Sequence, residues 1–179
     1  MAEQGRRDTG RVGGRIRRYA RVTGTMTGLA ARMAGERYLG IEIDRSKHAA
    51  DLREALFGPR PALFAHVADD AEHGVVGFSL WFLNYSTWLG THGIYLEDLF
   101  VQPEHRGSGY GKALLANLAR ICVERGYGRL EWWVLDEPNM QSSWRFYESQ
   151  GARALREWVP HRVTGDALIA LAGRTTSQK

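Results

Sequence analysis

The sequence predicts an α+β fold: one domain built on a central mixed, mostly antiparallel sheet of six to seven strands, flanked by about four helices. Three observations predict it. Ala62–Val67, Val75–Tyr85 and Ile94–Val101 are aliphatic and aromatic runs separated by short polar turns, the pattern of consecutive antiparallel strands. Between Gly109 and Gly126 the apolar spacing becomes helical. Leu130–Leu135 is strand-like again, so that helix is the crossover between two strands of one sheet.

Taken in chain order, Arg15–Arg21 alternates weakly and is expected to open the sheet. Met26, Leu29, Ala30 and Met33 recur at helical spacing up to Gly35, and a second helix is expected over Ser46–Leu56, capped by Ser46 and stopped by Gly58-Pro59. The polar run Asp69–Gly74 joins the next two strands as a hairpin, and a turn around Ser86–Gly93 leads into the third, which Pro103 closes. In the crossover helix Leu114, Leu115, Leu118, Ile121 and Cys122 share one face, and Gly126 is placed to cap its end. A helix over Met140–Gln150, ended by Gly151, and a last apolar stretch at Arg162–Leu171 complete the chain. The expected boundaries are a basic, flexible extension over 1–14, a folded domain over 15–172 and a tail over 173–179.

Charge narrows the function classes. The net charge of +4 is carried by residues 1–24, where seven Arg face only Glu3 and Asp8; the remainder holds 17 Lys and Arg against 18 Asp and Glu. The folded part is therefore not basic, and nucleic acid is not an expected partner. No stretch reaches the ~18 apolar residues of a membrane helix, and the N-terminus lacks a secretory apolar core. The single cysteine, Cys122, falls on a predicted apolar face and reads as a buried structural thiol. These features together set the expectation of a cytoplasmic protein.

The most informative segment is Arg106-Gly107-Ser108-Gly109-Tyr110-Gly111-Lys112, between a strand and a helix. Glycines let successive N–H groups turn inward, and the helix adds its positive N-terminal dipole, which suits a pyrophosphate. The spacing excludes two nucleotide motifs. A dinucleotide fingerprint needs G-x-G-x-x-G, whereas the glycines stand at 107, 109 and 111; a Walker loop ends in G-K-[ST], whereas Lys112 is followed by Ala113.

What fits is R-x-x-G-x-G, and in this the chain resembles the GNAT superfamily of coenzyme A-dependent acetyltransferases. Within it, Val76-Gly77-Phe78, Trp88-Leu89-Gly90, Tyr95–Val101, Arg106–Gly111 and Phe146-Tyr147-Glu148 are similar to the diamine acetyltransferases and their bacterial small-amine relatives. The resemblance covers roughly residues 75–165 and implies a GNAT-like domain. Acetyl-coenzyme A would be co-substrate, a small-molecule amine the acceptor, and a homodimer the assembly. It further implies that Arg106, Gly107, Ser108, Gly109, Tyr110, Gly111 and Lys112 hold the pyrophosphate. Backbone groups of Leu99, Phe100 and Val101 would meet the pantetheine arm and the developing oxyanion.

The same resemblance makes Tyr147 the general acid, since a phenol keeps its proton at neutral pH and can give it to sulfur. Glu97 would serve the amine as base or clamp. Its neighbour Asp98 is expected on the opposite face of the strand, by simple alternation. Acceptor contacts are expected from Tyr85, Ser86, Trp88, Asp136 and Glu137. Two departures bear on the acceptor. Ser86 stands in a turn where polyamine-specific members often carry an acid, and eleven residues separate Asp136 from Tyr147 where close relatives have nine.

His92 and His105 flank the third strand, but no His, Cys or Asp spacing suggests a metal. Trp81, Trp132 and Trp133 read as core or interface. The alternatives are a protein N-terminal or lysine acetyltransferase, a silent acyl-coenzyme A sensor, and a nucleic-acid binder using the Arg-rich tail. Retention of both Glu97 and Tyr147 speaks against the sensor.

Overall fold

A computed structural model describes residues 14–18, 37–38, 41–42 and 45–173. Its strands are β1 (Gly14–Arg18), β2 (Arg37–Tyr38), β3 (Ile41–Glu42), β4 (Phe64–Asp70), β5 (Gly74–Ser86), β6 (Thr91–Val101) and β7 (Leu130–Glu131). The helices are α1 (Arg45–Phe57), α2 (Tyr110–Arg125), α3 (Gln141–Ser149) and α4 (Gly165–Leu171). The helix expected over residues 26–35 lies outside the described residues.

The main sheet has the order β1-β4-β5-β6-β7, antiparallel throughout except for the parallel β6–β7 pair. The α+β class and the crossover helix are as expected, but among the described residues the sheet holds five strands and not six or seven. Two causes account for the difference. The last apolar stretch is helical from Gly165 to Leu171, and β2 pairs only with β3. Arg45 already belongs to α1, which places Ser46 inside its first turn and not at its cap.

Adjacent residues on β4 point to opposite faces, and each face has its own core. On one, Leu52 of α1 packs with Ala65, Val67, Phe78 and Leu80. On the other, Tyr110 and Leu114 of α2 pack with Ala68 and Val76. Phe78, Ile94, Leu114 and Leu118 are fully buried, each worth about 1.5–3 kcal/mol of transfer free energy. Of the predicted stripe on α2, Leu114, Leu115, Leu118 and Cys122 are buried and Ile121 is half-buried.

Within this core Trp81 donates its indole N–H to Nδ1 of buried His66 at 3.1 Å. Burial, helped by the charges of Arg18 and Arg120, holds that imidazole down at a pKa of about 4. It is therefore neutral at ordinary pH.

Residues from Leu135 onward form a second compact unit. A 3-10 turn, Pro138–Met140, leads into α3, and the Trp144 indole donates to the carbonyl of Leu135 at 3.1 Å. Gln150 and Ala152 return their N–H groups to the Tyr147 carbonyl, closing the helix end.

Candidate active site

Two irregularities, one in β6 and one in its neighbour β7, shape the candidate site. The first is a register shift: Leu80 faces Asp98 but Trp81 faces Leu96, so Glu97 is an extra residue without a partner on β5. Such a bulge breaks strict alternation and bends the strand. The expectation that Glu97 and Asp98 stand on opposite faces rested on that alternation, and the bulge removes its basis. Glu97 is exposed, and its charge, after burial itself, is the second cause that raises Asp98 to a pKa of about 6. Asp98 was not singled out from the sequence, where nothing in Leu96-Glu97-Asp98-Leu99 marks a bulge.

The second irregularity is the early end of β7. It pairs with β6 only at Ile94↔Leu130 and Tyr95↔Glu131. The strand expected to run to Leu135 stops as a ladder where the β6 bulge begins. Beyond Leu96 that edge of β6 has no ladder partner among the described residues, and it runs through Leu99, Phe100 and Val101 into the glycine turn.

The turn is organised by its own backbone. Gln102 donates its N–H to the Val76 carbonyl at 2.9 Å, and Arg106 donates through its N–H to Pro103 and through Nε to Val101 at 3.1 Å. Gly107 and Gly109 have φ of 80° and 90°, the left-handed region that side chains disfavour. Space around Gly107 is open, since a Cβ there would meet nothing within 4 Å. Gly109 then starts α2, whose first N–H groups have no intrahelical acceptor.

Arg106, Ser108 and Lys112 are exposed beside this turn, whereas Tyr110 is only 4% exposed and sits in the core. Tyr110 can therefore offer an anion its backbone N–H, not its ring. The donor set of glycine-turn amides, exposed cations and a free strand edge fits a pyrophosphate joined to an amide-bearing arm.

The acceptor candidates are more dispersed. Tyr85 and Trp88 are 55% and 84% exposed at the tip of the β5–β6 hairpin, and the Ser86 hydroxyl is committed to the Leu89 N–H at 3.2 Å. At that tip Ser86 pairs with Thr91, which lies roughly 20 Å of strand before Glu97. Within one chain the structure does not bring Tyr85, Ser86 and Trp88 to Glu97.

In the second unit Tyr147 is half-buried, its ring 5.1 Å from that of Phe146. Asp136 and Glu137 are exposed, and Asp136 lines a shallow depression with Gln141, Trp144, Arg145, Glu148 and Arg156.

With this geometry in hand, known proteins give it a context. Residues 31–152 match the acetyltransferase (GNAT) family. The L-ornithine N5-acetyltransferase NATA1 of Arabidopsis thaliana is 44% identical over 97 residues, 54% of this chain and 42% of that protein. The thialysine N-epsilon-acetyltransferase of Bos taurus is 38% identical over 103 residues, 56% of this chain and 59% of that one. The chain thus spans about half the length of these curated relatives. Among solved structures, an integron cassette protein from the mobile metagenome of V. cholerae superposes with a TM-score of 0.72 at 26% identity, covering 89% of this chain and 98% of its own.

Proposed function

The chain belongs to the GNAT family of acetyltransferases, and from that premise we propose that it transfers an acetyl group from acetyl-coenzyme A to a primary amine of a small molecule. The observation that carries the reading is the edge of β6 left without a ladder partner among the described residues, followed through the short 3-10 turn Pro103–His105 by the glycine turn at the start of α2. The coenzyme would supply the acetyl group on a thioester.

The chain's own residues would do the rest. Amides of Gly107, Gly109 and Tyr110, with Arg106 and Lys112, would take the pyrophosphate. The free edge at Leu99–Val101 would align the arm as an added strand and turn N–H groups toward the carbonyl oxygen.

An amine attacks only when neutral. Glu97 and Asp98, at the bulge, would accept its proton, and a carboxyl held up at about 6 is ionised yet only weakly acidic at neutral pH. The Tyr147 hydroxyl would give a proton to the departing sulfur. One N–C bond forms and one C–S bond breaks: the ammonium proton goes to the carboxylates, the phenol proton goes to sulfur, and the proton that the new amide nitrogen sheds returns to the phenolate.

For the acceptor, the relatives are named for L-ornithine and thialysine, both amino acids with a second amine. The depression at Asp136 presents two Arg and two acids, which supports an acceptor carrying both charges. A second copy of the chain is the expected partner: Trp158, Val159 and Leu171 are 60%, 71% and 76% exposed, more apolar surface than one short segment usually leaves to water.

The test is a panel of L-ornithine, thialysine, spermidine and a lysine-bearing peptide, each with acetyl-coenzyme A and detection of free thiol. Thiol release with the amino acids supports the reading. Release with the peptide alone would move it to protein acetylation.

A further inference from the structure

We infer that Asp70 is a positioning residue for the coenzyme-binding turn, acting through the hydroxyl of Tyr110; the inference rests on the function proposed above. Asp70 ends β4 directly after a register shift between Ala68 and Asp69. Its carboxylate accepts the backbone N–H groups of Glu72 and His73 at 3.0 Å each, and faces Nδ1 of His73 at 2.8 Å. Those three contacts are local to the β4–β5 turn and leave the carboxylate little freedom to swing.

The fourth contact is not local. Tyr110 donates its hydroxyl to the other carboxylate oxygen across 40 residues of chain. Tyr110 is the first residue of α2, it follows the left-handed Gly109 directly, and its ring lies among Ala68, Val76 and Leu114. A buried phenol requires a partner for its hydroxyl, and Asp70 is a fixed one. His105, the residue before Arg106, stands edge-on to both His73 and Tyr110, at 4.8 Å and 6.4 Å between ring centres.

A turn with two glycines at positive φ samples many arrangements of its N–H groups when left alone. Holding the phenol of Tyr110 holds the point where α2 begins, and with it the donors a pyrophosphate would meet. The pair keeps one protonation state over the working range. The bond with Tyr110, with help from His73 and the turn amides, holds Asp70 well below the carboxylate range, and the bond with Asp70 pushes Tyr110 up to about 12.

The experiment is a double-mutant cycle read as KM for acetyl-coenzyme A, kcat and KM for the amine, alongside calorimetric binding of coenzyme A. Tyr110→Phe and Asp70→Ala should each raise KM for acetyl-coenzyme A about tenfold, the weight of one charge-assisted hydrogen bond. Amine KM and kcat at saturation should stay within about twofold, and the double variant should be no worse than either single. Asp70→Asn keeps the oxygen that accepts the turn amides but sets an NH2 donor against the Tyr110 hydroxyl, so it should recover only part of the loss. Additive effects, or a fall in kcat and thermal midpoint with coenzyme affinity unmoved, would overturn the inference. Wild-type protein that binds no coenzyme A would instead overturn the proposed function on which it rests.

Discussion

Asp98 enters the ladder opposite buried Leu80, and that apolar neighbourhood with the charge of Glu97 beside it raises its carboxyl from 3.8 to about 6. The folded protein therefore holds this proton more tightly than the unfolded chain does. Ionising Asp98 costs stability as pH rises from about 4 through 6, and the cost is fully present above that window. Asp98→Asn should stabilise the protein by about 1–3 kcal/mol at neutral pH and by nothing near pH 4, read from denaturant unfolding at both values. If Asp98 also takes the amine's proton, the same variant loses the step near pH 6 in the profile of kcat/KM.

Tyr147 makes the other prediction at this scale. Tyr147→Phe keeps the ring packed on Phe146 and removes the proton donor, so kcat should fall about 100-fold or more with little change in either KM. Tyr147 and Glu97 stand out in the sequence by their place in family-like motifs, and their roles remain proposals that rest on that resemblance. The bulge at Glu97 was not legible, because a bulge has no signature when neither glycine nor proline marks it. The commitment of Ser86 to its own turn was equally hidden, since a serine in a hairpin reads alike whether its hydroxyl faces a ligand or a backbone N–H.

Among the elements, the β6–turn–α2 segment was the most legible. The glycines at 107, 109 and 126 stand where positive φ is needed, and the apolar face of α2 is the buried one. Gly107→Val places a branched side chain at φ of 80°, with a backbone cost of about 1–3 kcal/mol. It also fills open space beside the turn. It should weaken coenzyme A binding by calorimetry far more than it lowers the thermal midpoint, whereas Gly90→Val, equally strained at φ of 64° on the distant hairpin, should spare binding. The length of β7 was not legible, because nothing in Leu130–Leu135 marks where pairing stops, and the ladder ends beside the bulge at Glu97.

At the scale of the whole molecule, the hairpins fixed β4, β5 and β6 as neighbours and the crossover helix fixed β7 beside β6. Neither hairpin nor crossover says whether a terminal apolar run joins a sheet, and Arg162–Leu171 proved helical from Gly165. The apolar exposure at Trp158, Val159 and Leu171 leads to one prediction here. Light scattering should give twice the mass of one chain, and Trp158→Glu should shift it toward the single chain while leaving the fold intact.

Incubation with acetyl-coenzyme A labelled in the acetyl group, together with L-ornithine, followed by mass spectrometry of the amine, tests the central claim most directly. The account predicts label on an amine nitrogen, formed in step with free coenzyme A thiol and lost in Tyr147→Phe. Label that stays on the coenzyme, or leaves only as free acetate, for every small amine offered would contradict it.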